Sequence, residues 1–216
     1  MWYAENVRAI IGSITLGMGT SDTSKYLGFL GLYGSQNRKA FTKLELEVGK
    51  TLRNVAKKVF KNNMLQEIKL TIEDTTKTMS FEKWNNLPDN HPEKPRAQLT
   101  VSFDMGWQKR GRSFNSNSGH AFLVGGKTRK VIAFLTCMKK CTVCEKYDKK
   151  NKEAPEHCCP RNYTGSSKGM EAFAGVQLVT EVWDTFHACV SQICANEDST
   201  IHAQMKHLLK EKLQVD

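Results

Sequence analysis

The sequence has 216 residues, and its 32 Lys and Arg outnumber its 22 Asp and Glu, for a formal net charge of +10. That length can bury a sizeable core in one or two domains, and that charge favours a polyanionic partner, with an ordinary basic surface as the plainer alternative. No apolar run approaches the ~18 residues of a membrane span, and the start Met1-Trp2-Tyr3-Ala4-Glu5-Asn6 lacks a signal-peptide pattern, so the seven clustered cysteines argue for metal in a reducing compartment rather than a disulfide framework.

In chain order, Val7, Ile10, Ile11 and Ile14 share one side of a helix predicted over Glu5 to Leu16, which Gly17 and Gly19 break. Asp22 or Thr23 can cap a second short helix through Leu30. After Ser35, the positions Phe41, Leu44, Val48, Leu52, Val55 and Val59 recur at steps of three and four, which predicts a long helix decorated by Lys50, Arg53, Lys57, Lys58 and Lys61. Such helices fit a DNA-binding module, but a scaffold with a solvated basic face fits slightly better, since nothing marks a recognition helix. Asn85 to Arg96 is polar and holds three prolines, so it reads as a linker. The predicted organisation is a helical N-terminal region over 1–84, a Pro-rich linker over 85–97 and an α/β core over 98–216.

Leu99, Val101 and Phe103 alternate with Thr100, Ser102 and Asp104, the period of a strand, which puts Asp104 on the opposite face from the three apolar residues. A carboxylate at a strand end beside Gly106 is well placed to hold a hard divalent cation, against the plainer reading of a solvated Asp. Lys109, Arg110 and Arg112 follow in a Gly-bearing loop suited to a phosphodiester backbone, or simply to a flexible surface. Trp107 suits core packing better than base stacking. Two β-prone runs from Gly119 to Leu135 flank Gly125-Gly126 and predict a hairpin, so the sheet opens as a three-stranded antiparallel meander. An acid on the first strand of such a meander, followed by a helix, matches the opening of a ribonuclease H-like fold.

Cys141-x-x-Cys144 is joined by a Lys-rich loop to His157-Cys158-Cys159, and two such closely spaced groups can supply the four N/S ligands of tetrahedral Zn²⁺. Ser166 or Ser167 can cap a helix with Ala172, Val176, Val179, Trp183 and Phe186 as its apolar stripe. Glu171, in the first turn, suits the helix dipole. Cys189 to Ala195 predicts a fourth strand, with Cys189 and Cys194 as small buried hydrophobes. A lysine-bearing helix from Ile201 to Leu213 closes the chain.

The run Val101-Ser102-Phe103-Asp104-Met105-Gly106-Trp107-Gln108-Lys109-Arg110, then Ser118-Gly119-His120-Ala121-Phe122, then Asn162-Tyr163-Thr164-Gly165-Ser166-Ser167-Lys168-Gly169-Met170-Glu171 resembles the Mutator-like transposase domain of animals and other eukaryotes. The match is dense from about Leu99 to Glu171 and fainter on either side. The resemblance implies a DDE/D-type recombinase with a ribonuclease H-like core that cleaves and joins DNA with Mg²⁺ or Mn²⁺, in the nucleus, with DNA as partner, a homo-oligomer left open and no membrane. It implies Asp104 as one metal ligand and an acidic D-x-D-S-T motif at Asn196-Glu197-Asp198-Ser199-Thr200, which leaves Asp198 as the second. It also implies a C-x-x-C…H-x-C zinc set, matched by Cys141, Cys144, His157 and Cys159 in an insertion over 137–160, with Cys137 and Cys158 as spare candidates, and a site role for Glu171. Two departures follow. Asn196 stands where the motif has its first acid, and the third acid of the family has no match before Asp216. The expectation is therefore a partial ribonuclease H-like core with little strand-transfer activity of its own, or a non-catalytic DNA-binding or interaction protein derived from a transposase.

Overall fold

The computed structural model of the chain describes residues 3–32, 37–75, 79–107 and 116–194, together with 203, 206 and 207. Two compact units make it up, Met1–Val59 and Phe60–Asp216.

The first unit is helical. Helix α1 (Ala4–Leu16) ends at Gly17, whose φ of 67° is the left-handed turn that glycine adopts without a Cβ penalty. Helix α2 (Thr20–Phe29) starts from Gly19, without the side-chain cap expected of Asp22 or Thr23. Thr23 is instead buried, and its hydroxyl bonds Ser13 of α1. Helix α3 (Arg38–Thr75) is longer than its apolar stripe predicted. Phe41, Leu44 and Val48 of that stripe are buried against Ile10 of α1, but Leu52, Val55 and Val59 are exposed.

From Phe60 onward α3 belongs to the second unit, where Met64, Ile68 and Ile72 enter the core of the sheet. The sheet has the strands β1 (Ala97–Trp107), β2 (Ser118–Gly125), β3 (Val131–Met138) and β4 (Ala188–Cys194), in the order β3-β2-β1-β4. The first three form the predicted antiparallel meander, and β4 returns parallel to β1. The connection to a parallel neighbour needs a crossover, here α6 (Ser167–Phe186), which packs on β2, β3 and β4. Ser166 caps α6 by accepting a hydrogen bond from the Gly169 amide at 3.1 Å.

One face of the sheet is the core. Leu99, Val101, Phe103 and Met105 of β1 are buried there with Ala121 and Leu123 of β2 and Met170, Ala174, Leu178 and Val182 of α6. Trp84 joins them from a short helix, α4 (Phe81–Asn86), that the sequence did not suggest. Trp107 is half-buried and packs against the same core, as its apolar ring favours.

The hairpin is not closed by a glycine-built tight turn. The only left-handed residue in its loop is Arg129, at φ 57°. Gly125 and Gly126 are there for room. A Cβ on Gly125 would lie 2.2 Å from Glu67 Oε2, and one on Gly126 would lie 2.8 Å from the Thr100 carbonyl oxygen. Glu67, on α3, is 1 % exposed and accepts hydrogen bonds from the amides of Lys127 and Thr128 at 2.9 and 2.8 Å. Asn63 donates to the Val131 carbonyl at 2.9 Å, Lys130 donates to Gln66 at 2.9 Å, and Lys127 pairs with Asp74, so four residues of α3 grip the hairpin.

The Pro-bearing stretch 85–97, expected as a linker, is itself packed. Lys94 is buried, bonds the Leu87 carbonyl and Asp89, and lies 4.5 Å above the Trp84 ring. Arg96 covers Trp183 of α6 and donates to its carbonyl. The Trp84 indole donates to Pro95.

Candidate metal centre

The segment between β3 and α6 carries the Cys/His cluster. A short helix, α5 (Thr142–Asp148), begins there with Cys141 as its N-cap, so Cys141 and Cys144 lie one helical turn apart and face the same way. The returning chain brings His157 and Cys159 to them. The donor atoms of Cys141, Cys144, His157 and Cys159 all lie within 4.8 Å of one another. His157 Nε2 is 3.2 Å from Cys141 Sγ and 3.5 Å from Cys144 Sγ, and the sulfurs of Cys144 and Cys159 are 3.6 Å apart. A tetrahedral zinc ion with bonds of about 2.0–2.3 Å needs donor separations of about 3.5–3.8 Å, so the set fits with small adjustments.

The imidazole is oriented for the task. His157 Nδ1 donates to the Pro155 carbonyl at 2.7 Å, which fixes the tautomer and leaves the Nε2 lone pair aimed at the thiols. The same bond to Pro155, followed by the Cys141 contact, raises the His157 pKa. The Cys144 amide, then His157, pulls the Cys141 thiol down to about 6. Burial, with the adjoining thiols of Cys159 and Cys141, pushes Cys144 up to about 11. Three thiols this close do not all ionise unaided; a bound cation would supply the missing charge. Soft sulfur donors would select a metal such as zinc over Mg²⁺ or Mn²⁺, and four protein ligands would leave no open position on it.

The spare candidates stand outside this set. Cys137 is fully buried in the sheet core, and burial raises its thiol to about 11. Cys158 is exposed beside the cluster. Cys189 is partly buried and donates to Gln98, whereas Cys194, expected inside, is exposed on an edge strand.

The insertion is tied to the sheet at its base. Asn162 accepts from the Met138 amide and donates to the Thr136 carbonyl, at 2.7 and 2.8 Å, and so pairs like a strand residue with the edge of β3. Ser167 donates to the Ser116 carbonyl at 2.9 Å. Nothing in the spacing of the cysteines pointed to Asn162, although it opens the third of the runs that resemble the family.

Asp104 lies on the face of the sheet turned away from the core, exposed and directly opposite Phe122. It sits three residues before the end of β1 rather than at the end. Cross-strand pairing places Phe122 opposite Phe134 and His120 opposite Thr136 on that face. The His120 ring stacks on Phe134 at 6.1 Å and bonds Thr136 Oγ1 at 3.2 Å. This aromatic surround was missed, although the alternation of β2 implied it. One exposed carboxylate suits a hard cation as a single oxygen ligand. Asp198, Lys109, Arg110 and Arg112 lie outside the described residues. Glu171 is half-buried in the first turns of α6.

A family model described as Mutator-like transposase matches residues 3–216. Neither a curated protein nor a solved structure matches the chain. No described helix is long and apolar enough to cross a membrane.

Proposed function

Because the chain belongs to the Mutator-like transposase family, we propose that it handles DNA in transposition and that its sheet is part of a ribonuclease H-like, DDE/D-type core. The observation that carries this reading is the family match over nearly the whole chain. The meander followed by a crossover helix and a parallel strand is consistent with it, as is an exposed carboxylate on β1.

On this reading Asp104 and Asp198 are ligands of catalytic Mg²⁺ or Mn²⁺, which would supply charge for cleavage and strand transfer on DNA. Lys109, Arg110 and Arg112 hold the phosphate backbone beside them. Cys141, Cys144, His157 and Cys159 hold a structural zinc. The protein acts in the nucleus.

A second reading, a DNA-binding protein of transposase descent without catalysis, is favoured by one residue: Asn196 stands where the acidic motif has its first carboxylate. One comparison separates the two. DNA affinity should fall steeply with added salt, since phosphate contacts release counterions. Asp104→Ala should leave that affinity unchanged or slightly tighter, because it removes a negative charge near the DNA. Cleavage with Mn²⁺ that Asp104→Ala abolishes supports the enzyme. Salt-dependent binding with no cleavage supports the binder. An affinity indifferent to salt would sink both.

A further inference from the structure

The tip of the metal-stapled insertion is a dense basic turn. Lys146, Lys149, Lys150 and Lys152 fall within seven residues, all exposed, with only Asp148 among them. Lys146, Lys149 and Lys150 stand at i, i+3 and i+4 around the end of α5, so their ammonium groups share one side. Like charges at that spacing destabilise a helix. One lysine at a helix C-terminus offsets the dipole, but that does not account for four. Lys140 pairs with Glu145 and Lys127 with Asp74, whereas among the described residues none of these four has a carboxylate partner.

The turn is also held in shape. Lys149 N bonds the Glu145 carbonyl, and the amides of Lys150 and Lys152 both bond the Tyr147 carbonyl. Asn151 takes the left-handed conformation, φ 50°, that turns the chain back toward His157. Cys141 and Cys144 lie at the other end of the same helix, so a metal held there would mount the turn that carries the lysines.

We propose that Lys146, Lys149, Lys150 and Lys152 form a second phosphodiester-backbone contact, apart from the Lys109–Arg112 loop, with the metal centre as its mount. Lysines act on phosphate as point charges, so the contact adds affinity without reading sequence. The inference rests on the DNA reading above.

The test uses the full chain loaded with zinc, a fluorescent duplex DNA and a series of salt concentrations. Changing all four lysines to Gln should make the slope of log K against log salt shallower by about 3 to 4, at about 0.9 for each phosphate that is no longer neutralised. Changing all four to Arg should keep the slope. Zinc content and circular dichroism, unchanged in both, exclude misfolding. If the Gln variant keeps the wild-type slope while Lys109→Gln/Arg110→Gln/Arg112→Gln lowers it, this inference fails and the DNA reading stands. If the wild-type slope is flat, the DNA reading fails and takes this inference with it. An equal loss in the Arg variant would also overturn it, since charge would not be the cause.

Discussion

Glu67 is a buried carboxylate, and its two oxygens accept from the amides of Lys127 and Thr128. Hydrogen bonds to a charged group contribute about 1.5–3 kcal/mol each, and removing the carboxylate loses both. Glu67→Ala should therefore destabilise the second unit by about 3 to 5 kcal/mol, and Glu67→Gln, which keeps one acceptor, by about half of that. Urea unfolding measures both; a loss below that of a surface substitution would show that the clamp is not needed. Cys137 makes a prediction with pH. Burial keeps its proton on up to about 11, against a reference value of 9.0. A group that holds its proton longer when folded contributes fully below the unfolded pKa and loses that contribution as pH rises through the folded one. Between about pH 9 and 11 the wild type should lose up to roughly 2 kcal/mol that Cys137→Ala does not lose. Parallel urea curves at the two ends of that window, run on both proteins, check it.

At the scale of elements, the insertion is fastened twice, by the Cys/His set and by the Asn162 strap on β3. On protein loaded with zinc, a chelator should free only the first fastening. Limited proteolysis should then cut within 139–160 while the sheet survives, and Cys144→Ser should give the same pattern without a chelator. Cuts in β1 or β2 appearing at the same rate would mean that the metal holds the whole core. Much of this was legible beforehand. The alternation of Leu99, Val101 and Phe103, the hairpin, the Ser166 cap and the grouping of Cys141, Cys144, His157 and Cys159 could all be read because each is a local pattern of period or spacing. What escaped was non-local. Gly125 and Gly126 look like turn glycines, yet a carboxylate some sixty residues earlier and a carbonyl on the next strand dictate them. The stripe on α3 predicted a buried face through Val59, but apolar spacing does not reveal where its covering partner stops. The stretch 85–97 looks like a tether, because its anchors, Trp84 and Trp183, lie on elements before and after it.

At the scale of the molecule, the two units have unequal cores. Among the described residues, four buried apolar side chains form the core cluster of the first, against nineteen in the main cluster of the second. Buried apolar area sets most of the stability of a unit, so the first should unfold at lower denaturant. With Trp2→Phe the remaining tryptophans, Trp84, Trp107 and Trp183, all report on the second unit. Their fluorescence should change after the first loss of helical circular dichroism; coincident curves would mean that the chain unfolds as one. The grip of α3 on the hairpin also bears on how the chain is made. Asn63 and Glu67 meet residues that follow them by 60 to 68 positions. A ribosome adding about 5–20 residues per second needs about 3 to 14 seconds to supply them. For that interval the newborn chain holds out Met64, Ile68 and Ile72 with no sheet to receive them, whereas Ile10, Phe41, Leu44 and Val48 can already have closed on one another.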